Sequence, residues 1–401
     1  MTPIRERLPG EELLWHVATQ KWHVQCHYSD VQLYICHISM LALPASTLQM
    51  LNRRHKNLFA PIREPFMKRK ALALLSGGLD STLAIKIMLD MGIEVEALNF
   101  TSPFCSCTGK NSGCKSEAVR VANEFNIPIK VMHKGLDYLD LIRNPPHGHG
   151  KGLNPCIDCR IYLLKKAKEY MPESGADFVI TGEVIGQRPM SQRRDTLRVI
   201  ERESGLEGLL LRPLSALHFE ETIPEKEGWV DRTKLLSITG RSRQMQMQLA
   251  DELDVKNYPC PGGGCLLTEP SFIPKIKDIF DHTLTPDLRD FTLLKIGRHY
   301  RIAGQSKLII GRNEQTNDLL ETVRHQEEAA LTWLDGNTPL GVVTGLQDES
   351  ITRLAARILL RYTKAEAGVT CRIRLRQNGE ERIITACNDL NAEAVETYQI
   401  A

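Results

Sequence analysis

Short apolar strands alternate with helical segments from residue 68 onward, and this alternation constrains the fold more than any other feature of the sequence. The strand-like segments are ALALL (71–75), IEVEALNF, IPIKVM and DFVIT (177–181), and helical patterns such as STLAIKIMLDMG and SEAVRVANEFN separate them. Repeated βα units predict a parallel sheet. Because the strands are almost entirely apolar, we expect helices on both faces. The fold class is therefore α/β with a doubly wound parallel sheet, whose ligands gather at the carboxyl ends of the strands.

The length of the chain and a change of pattern near residue 285 predict more than one domain. A chain of 401 residues exceeds one ordinary core. After TLTPDLR (283–289) come the strand-like runs FTLLKIG, YRIAG and KLIIG, a helix at 351–362, and alternating strands at 370–376 and 382–386. We predict a doubly wound domain at 67–285, a smaller C-terminal α+β domain at 286–401, and a weakly structured or dispensable extension at 1–66.

Charge and hydropathy narrow the environment of the protein. The formal net charge is +2, so a surface for nucleic acid has to come from local patterning. The apolar run at 33–45 is interrupted by His and Ser, is too short to span a bilayer and lacks the features of a secretory signal. The sequence therefore predicts a cytoplasmic protein with no membrane partner, whose eleven cysteines are thiols.

A glycine-rich loop, Ser76-Gly77-Gly78-Leu79-Asp80-Ser81, follows the first strand and begins the first helix. The glycines let the backbone approach an anion, and the helix N-terminus offers free N–H groups and a positive dipole. Ser76 and Ser81 add hydroxyl donors, while Asp80 beside a phosphate predicts Mg²⁺. The loop lacks the Lys of a Walker motif and the spacing of a dinucleotide fingerprint. A plain N-cap is the structural alternative.

Cysteine pairs predict a sulfur or metal site. Cys156 and Cys159 lie in NPCIDCR at the start of a predicted helix, where thiolates are favoured. A third thiolate would come from Cys260 or Cys265 in YPCPGGGC. Three thiolates leave one iron of a [4Fe–4S] cluster open to bind a sulfide. Zinc would instead take both Cys260 and Cys265 as its third and fourth ligands.

Other candidate residues lie in loops and at strand ends. Gly182 and Asn99 end two predicted strands and are expected to contact ATP if the loop binds it. For Gln187, Arg188, Ser191 and Gln192, substrate contact and a solvated, helix-capping role stay open. The loop cysteines Cys105, Cys107 and Cys114, with His147 and His149, are a weaker candidate for zinc.

Arginines recur on two predicted surfaces of the C-terminal part. Arg353, Arg357 and Arg361 share one face of a helix, and CRIRLRQ (371–377) alternates arginine with apolar residues along a strand. Arginine suits phosphodiesters. The alternative is a solvated face balanced by nearby carboxylates.

SGGLDS in its strand–turn–helix setting resembles the pyrophosphatase loop (PP-loop) of the N-type ATP pyrophosphatase superfamily, which is Rossmann-like. Residues 67 to about 282 also resemble the tRNA thiouridine synthases of this type, through SGGLDS, NPCIDCR, VITGEVIGQRPMSQRRD, LRPLS, IPEKEGWVDR, TGRSRQ and PGGGCLLT. The resemblance implies that ATP and Mg²⁺ bind at 76–81 and that a uridine carbonyl oxygen of tRNA is adenylated. It further implies that sulfur displaces AMP, either from a [4Fe–4S] cluster on Cys156, Cys159 and Cys265 or from a persulfide relayed by paired cysteines. By the same resemblance, Asp80 and these cysteines are catalytic.

Residues 291 to about 400 resemble the NFACT-R type RNA-associated domain, chiefly through LIIGRNEQTNDLL (308–320). This implies tRNA as a partner. A sulfur donor is also implied (sulfide, a cysteine desulfurase or a sulfur-carrier protein), and a homodimer is possible. Two rival hypotheses are a deazaguanine nitrile synthase-like enzyme that uses a nitrogen nucleophile and a zinc-stabilised, non-catalytic RNA-binding protein.

Overall fold

The computed structural model describes residues 68–105, 114–258, 265–345 and 347–400, together with four strands near the N-terminus. These strands are β1 (Arg5–Arg7), β2 (Glu12–Val17), β3 (Gln20–Cys26) and β4 (Cys36–His37). They form an antiparallel sheet in the order β1-β2-β3-β4, within a unit of their own that covers residues 1–67. The rest of that segment lies outside the described residues, so the expectation for 1–66 stays a prediction.

A five-stranded parallel sheet organises the first part of the second unit, which covers residues 68–401. Its strands are β5 (Lys70–Leu74), β6 (Glu94–Thr101), β7 (Ile129–His133), β8 (Phe178–Thr181) and β9 (Leu210–Leu211), in the order β7-β6-β5-β8-β9. Every neighbouring pair is parallel. Since β5 is central and the chain continues first to one side and then to the other, the order reverses between β5 and β8. Ligands of open α/β sheets bind at this point.

Helices cover both faces of this sheet. They are α1 (Leu79–Asp90), α2 (Cys114–Glu124), α3 (Leu136–Arg143), α4 (Cys156–Ser174), α5 (Arg194–Ser204), α6 (Ile223–Lys226) and α7 (Gln244–Glu252). Ala71 and Ala73 of β5 pack in a core with α1, α2 and α7, whereas Leu72 packs in a core with α4 and α5. Alternate residues of one strand thus enter opposite layers. The predicted doubly wound α/β class is confirmed.

A second, antiparallel sheet forms the C-terminal part. Its strands are β10 (Arg298–Ala303), β11 (Ser306–Ile310), β12 (Ala329–Trp333), β13 (Gly341–Thr344), β14 (Thr370–Gln377) and β15 (Glu380–Cys387), in the order β10-β11-β13-β12-β14-β15. The helices are α8 (Ile273–His282), α9 (Leu288–Leu293), α10 (Glu314–Val323), α11 (Glu349–Leu360) and α12 (Ala392–Glu396). Leu308 and Ile310 of β11 face a core with α11, and Ile309 faces a core with Leu320 of α10. The expected smaller α+β architecture is confirmed.

The two sheets are joined by α8 and α9, and here one local expectation is wrong. FTLLKIG (291–297) looks strand-like in sequence, but its first three residues end α9. Asp287 begins this helix with a capping box, in which its side chain accepts a hydrogen bond from the Asp290 amide at 2.9 Å. Phe291 and Leu294 then lie three residues apart on the helix side that packs on Phe104 and Ile279. Capping and packing therefore override the strand propensity.

A buried ion pair lies at the same junction. Asp278 of α8 accepts from Arg301 at 2.9 and 2.6 Å and lies 3.5 Å from Lys307, on β10 and β11 respectively. Burial alone would raise the pKa of Asp278, but the Arg301 hydrogen bonds and the Lys307 charge outweigh burial and lower it. The predicted boundary near 285 falls in the turn between α8 and α9 and stays a prediction.

Within the part of the chain that the structure describes, every helix is too short or too polar to span a bilayer.

Candidate active site

The loop 76–81 joins the end of β5 to the start of α1, where the sequence predicts it. Gly78 occupies the N-cap position of α1 without any side-chain cap. Gly77 has φ +78°, and a Cβ there would come within 2.6 Å of Glu117 Cβ on α2. Because only glycine tolerates that conformation beside α2, the backbone can stay close to the open helix end, where an anion is favoured.

The two serine hydroxyls close the loop on itself. Ser81 Oγ donates to the Gly78 carbonyl oxygen at 2.9 Å and lies 3.2 Å from Ser76 Oγ. The Ser76 amide donates to Ser81 Oγ at 3.3 Å. These bonds hold the loop as a preformed turn around the helix N-terminus.

Two of the predicted ATP-binding residues support the loop from neighbouring strands. Gly182 follows β8, and a Cβ at this position would lie 2.4 Å from the Asp80 carbonyl carbon. Asn99 Nδ2 donates to the Leu75 carbonyl oxygen at 2.8 Å, while Asn99 Oδ1 is buried with no hydrogen-bond partner among the described residues. Gly182 thus leaves room for the loop, and Asn99 fixes the end of β5 with one acceptor unused. Their contacts with ATP stay predictions.

Asp80 presents one satisfied and one unsatisfied carboxylate oxygen. Its Oδ2 accepts from Gln187 Nε2 at 3.1 Å and lies 3.5 Å from an Arg243 guanidinium nitrogen. Its Oδ1 is buried and accepts no hydrogen bond within the described part of the chain. A buried carboxylate oxygen without a donor suits a hard cation. The residues present therefore fit Mg²⁺, with Asp80 as its protein ligand.

Several polar side chains in the segment that follows β8 are buried and not exposed to solvent. Ser191 and Gln192 are 3% and 2% exposed, so the solvated-face interpretation is wrong for these two residues. Gln192 Oε1 has no hydrogen-bond partner in the described ranges. Glu183, also buried, accepts from Arg212 Nε at 3.2 Å. The end of β8 is thus lined with polar groups rather than with apolar core.

The cysteine pair begins α4, as the sequence predicts. Cys159 Sγ accepts hydrogen bonds from Lys134 Nζ and from the Tyr138 hydroxyl, each at 3.2 Å. Burial raises the pKa of the Cys159 thiol, but the Lys134 charge and the Tyr138 hydrogen bond outweigh burial and lower it. Burial and the nearby Cys159 charge raise the pKa of Cys156. Cys159 is therefore the thiol of the pair that is favoured as a thiolate.

Two other cysteines from remote segments lie beside this pair. Cys105 and Cys265 face each other across an isolated antiparallel bridge, where the Leu266 amide donates to the Phe104 carbonyl oxygen at 2.9 Å. Burial raises the pKa of Cys265 to about 11, and the Cys159 charge acts in the same direction. Sequence positions about a hundred residues apart thus meet around Cys159, although the role of Cys105 in this group was not predicted.

The metal centre expected on the cysteines is not seen among the described residues. Among the residues described, no three His, Cys, Asp or Glu side chains are close enough to hold a metal ion. The cluster on Cys156, Cys159 and Cys265 therefore stays a prediction. Cys107, Cys260 and the side chain of Cys114 lie outside the described residues.

Arginines connect the thiol pair to the glycine-rich loop. The positive charge of Arg160 lowers the pKa of the Arg188 guanidinium, whereas the negative groups of Cys156, Glu183 and Asp80 act in the opposite direction. Arg160, next to Cys159, lies 3.5 Å from Glu183 Oε1, and Glu183 follows Gly182, which abuts the Asp80 backbone. The loop and the thiols consequently share one region at the carboxyl edge of the sheet.

The histidines of the loop before α4 have structural partners. His147 Nδ1 lies 2.7 Å from Asp158 Oδ1, and the His147 amide donates to Asp158 Oδ2 at 3.1 Å. His149 Nε2 lies 2.7 Å from the Ile142 carbonyl oxygen. The hydrogen bond to Asp158 raises the pKa of His147. These contacts anchor the loop to α4 and give both histidines a role other than zinc binding.

The arginines of the C-terminal part lie on the predicted faces, but most are paired with carboxylates. The pairs are Arg353–Glu349, Arg357–Asp389, Arg372–Asp335, Arg374–Glu381 and Arg376–Glu321. Arg361, just after α11, is exposed and forms no ion pair within the described ranges. The balanced-surface alternative therefore describes five of the six arginines.

Several site residues were not predicted as such. Lys134 and Tyr138 lie in a strand end and a helix without a recognisable motif, so no sequence signal marks their contact with Cys159. Arg243 lies in TGRSRQ, a motif that supports the resemblance to thiouridine synthases but to which no role was assigned. Two arginines separated by one serine, in a chain whose predicted phosphate loop lacks lysine, are the signal that could have identified it.

Comparison with known proteins accounts for two parts of the chain. Residues 66–225 match the family model described as thiamine biosynthesis protein (ThiI), and residues 297–399 match the one described as NFACT protein RNA binding domain. Each model thus matches one part of the chain, and the two matched parts do not overlap. Both resemblances inferred from motifs are thereby confirmed at the level of domains.

Individual relatives cover less of the chain. A tRNA-specific 2-thiouridylase MnmA of Leptospira interrogans is 28% identical over 29% of this chain and 34% of its own. A probable tRNA sulfurtransferase of Ureaplasma parvum is 28% identical over 38% of each chain. A solved 4-thiouridine synthetase in complex with RNA and ATP is 25% identical, with a TM-score of 0.32 and coverage of 57% of this chain and 52% of that one. The chain spans little more than a third of the length of these curated relatives.

Proposed function

We propose that this protein is an ATP-dependent tRNA sulfurtransferase, a thiouridine synthase. It adenylates a uridine carbonyl oxygen of tRNA, releases pyrophosphate and replaces the oxygen with sulfur. The observation that supports this most is that the SGGLDS loop and the Cys156–Cys159 pair lie at the same carboxyl edge of one parallel sheet. The loop follows β5, and Lys134, directly after β7, donates to Cys159. The ThiI match of residues 66–225 supports the same assignment.

The loop residues suit the activation step. The uncapped N-terminus of α1 and the Ser76 hydroxyl would hold phosphate oxygens, and Gly77 and Gly182 keep the backbone accessible. Asp80 would hold Mg²⁺, which supplies charge neutralisation for the departing pyrophosphate when bound. Cleavage between the α and β phosphates transfers AMP to the uridine oxygen, so that the oxygen becomes part of a leaving group.

Cys159 suits the sulfur step. With a persulfide on Cys159, the terminal sulfur attacks the adenylated uridine carbon, a C–S bond forms and the C–O bond to AMP breaks. Cys156 then attacks the Cys159 sulfur, which releases the thiouridine and leaves a Cys156–Cys159 disulfide for a reductant thiol to open. Lys134 and Tyr138 hold the Cys159 sulfur by hydrogen bonds and favour the thiolate that first accepts sulfur. Exclusion of water protects the adenylate.

The source of sulfur and the setting belong to the same proposal. A cysteine desulfurase, or a sulfur-carrier protein that bears a persulfide, would transfer its terminal sulfur to the Cys159 thiolate in the cytoplasm, where thiols stay reduced. Sulfide, the third possible donor, would serve the cluster route, in which the sulfur keeps its oxidation state. The domain that matches the NFACT RNA-binding model would hold tRNA. A homodimer stays a prediction.

A cluster on Cys156, Cys159 and Cys265, with zinc as the alternative, stays a separate proposal to be tested by spectroscopy. Protein purified without oxygen should be analysed for iron, zinc and broad visible absorption. A colourless, iron-free protein that thiolates tRNA supports the persulfide route, whereas activity that follows iron content contradicts it.

The decisive experiment combines purified protein, tRNA, ATP, Mg²⁺ and a persulfide donor. We expect a thionucleoside in the digested tRNA together with equal amounts of AMP and pyrophosphate. Cys159→Ala should remove thiolation while ATP binding persists, and Cys371→Ala, in the core of the second sheet, is the matched control that should leave thiolation intact. Release of ADP, or incorporation of nitrogen from ammonia instead of sulfur, would falsify the proposal.

A further inference from the structure

The glycine-rich loop contains no positive charge of its own, although the proposed function requires it to hold the phosphates of ATP. Residues 76–81 supply two hydroxyls, backbone N–H groups and one carboxylate. A helix dipole amounts to about half an elementary charge, which is small against a nucleoside triphosphate. A cationic side chain from elsewhere in the fold is therefore needed.

Arg243 is the basic side chain in direct contact with the loop. Its guanidinium lies 3.5 Å from Asp80 Oδ2, although the two residues are 163 positions apart. Gln187 Nε2 donates to the same oxygen at 3.1 Å. The guanidinium thus lies beside the N-terminus of α1, next to the open end of the helix.

Main-chain contacts fix the position of Arg243. The Gly240 amide donates to the Ile185 carbonyl oxygen at 2.7 Å, and Thr239 pairs with Ile185 in an isolated parallel bridge. Gly186, with φ +76°, turns the chain so closely that its Cβ would lie 3.6 Å from the Gly240 backbone. The segment before α7 is therefore held against the turn that follows β8. This turn lies at the carboxyl edge of the sheet, as the loop 76–81 does.

The contact between Arg243 and Asp80 is suited to exchange. The Arg243 side chain is 32% exposed, and 3.5 Å is long for an ion pair. Partly exposed pairs of this kind contribute little to the stability of a protein. Arg243 can consequently leave Asp80 at small cost when a stronger anion arrives, which removes the competing positive charge from the Asp80 carboxylate.

We propose that Arg243 is the phosphate-binding arginine of this site and binds the β and γ phosphates that leave as pyrophosphate. This inference rests on the proposed function and adds the cation that the loop lacks. The planar guanidinium can donate two parallel hydrogen bonds to phosphate oxygens. In the nucleotide-free protein Asp80 holds the guanidinium in place, and ATP takes it over.

The test compares ligands that do and do not carry the leaving phosphates. Binding of ATP, pyrophosphate and AMP is measured by calorimetry in the presence of Mg²⁺ for the full chain and for Arg243→Gln. We expect the affinity for ATP and pyrophosphate to fall about 10- to 100-fold, as for loss of a charge-assisted bidentate contact, and the affinity for AMP to change less than about twofold. Arg243→Lys keeps the charge but not the two parallel N–H donors, so its affinity for ATP and pyrophosphate should lie between those of the unchanged protein and Arg243→Gln.

Arg241→Gln is the matched control, because Arg241 is exposed, lies in the same segment and forms no ion pair within the described ranges. It should bind all three ligands as the unchanged protein does. If Arg243→Gln does not fold, the result for Arg243→Lys decides. Full affinity of this variant for pyrophosphate would contradict the proposed pair of guanidinium hydrogen bonds.

Other outcomes separate this inference from the proposed function. Arg243→Gln with unchanged affinity for ATP and pyrophosphate overturns the inference alone. The same result with weakened tRNA binding assigns Arg243 to RNA phosphates instead and also overturns it. An unchanged protein that binds neither ATP nor pyrophosphate overturns the proposed function and the inference together.

Discussion

The two sheets of residues 68–401 differ in how their polar side chains are paired. At the carboxyl edge of the parallel sheet, oxygens of Asp80, Asn99 and Gln192 are buried without hydrogen-bond partners among the described residues. On the antiparallel sheet and α11, five arginines are each matched by a carboxylate. Buried polar atoms without partners cost stability unless a ligand satisfies them. The second sheet also buries polar atoms without partners in the described ranges, the ring nitrogens of His299 and Trp333. The two regions therefore differ mainly in their charged groups: an Asp80 oxygen of the first has no donor among the described residues, whereas five surface arginines of the second are already paired.

The largest expected effect concerns the junction between the two regions. Asp278→Ala leaves the buried cations Arg301 and Lys307 without their carboxylate, which should lower the free energy of unfolding by about 3–5 kcal/mol. Asp281→Ala, at an exposed position on the same helix, is the control. Chemical denaturation measures both variants. A loss below about 1 kcal/mol for Asp278→Ala would show that the junction is not held by this group.

The same carboxylate predicts an acid limit. The pKa of Asp278 is lower in the folded protein than in the unfolded chain, so its stabilising contribution is complete above the unfolded value near 3.9. The contribution is lost as pH falls through the lower folded value. The difference in unfolding free energy between the unchanged protein and Asp278→Ala should therefore shrink only in strongly acidic buffer. A difference that already disappears near pH 6 contradicts this.

Gly182→Ala tests whether the unsatisfied edge depends on close backbone contact. The added Cβ would lie 2.4 Å from the Asp80 backbone, so β8 and α1 have to separate. Overpacking of this kind costs about 1–3 kcal/mol, and we expect ATP affinity to fall by about 10- to 100-fold. Gly78→Ala, whose Cβ would have only Ser76 Oγ at 3.5 Å, should fold with the stability of the unchanged protein. Equal melting temperatures for both variants would argue against the steric explanation.

His147→Gln tests the hydrogen-bonded pair His147–Asp158, which lies in the region of the parallel sheet. The bond to Asp158 raises the pKa of His147, so its stabilisation is complete below the unfolded value near 6.5 and is lost as pH rises through the higher folded value. We expect a difference in unfolding free energy of about 1 kcal/mol in mildly acidic buffer, which disappears in alkaline buffer. Asp158→Asn should remove the same pH dependence. A difference that grows with pH would contradict the assignment.

The smallest effects are expected on the arginine surface. Arg353 pairs with Glu349 one helical turn away, so Arg353→Ala should cost only about 0.3–0.5 kcal/mol and leave tRNA affinity unchanged. Arg361→Ala should weaken tRNA binding and reduce the salt slope of the affinity by about one. Binding is measured over a range of salt concentrations. Equal losses for both variants would mean that the ion pairs open on RNA, and the contrast between the two regions would then fail.

Much of the fold was predictable because it depends on local patterns. Strand and helix periodicity gave the α/β class, and the strand–glycine–helix order placed the loop 76–81 at a helix N-terminus. The strand at 291–297 was mispredicted, because the apolar run FTLLKI satisfies both periods and only the Asp287 cap and packing against Phe104 decide for a helix. A local sequence pattern contains no information on the contact between Phe291 and Phe104, which are nearly two hundred residues apart in the chain.

The sequence alone determined which chemical groups are present: a glycine-rich loop without lysine, a cysteine pair at a helix start, and a parallel sheet to position them. Only the tertiary structure decided which groups act together. It placed Arg243 on Asp80, Lys134 and Tyr138 on Cys159, and Cys265 opposite Cys105. Residue type and helix position are encoded locally, whereas the protonation of a thiol and the partner of a carboxylate depend on charges that the fold brings from distant parts of the chain.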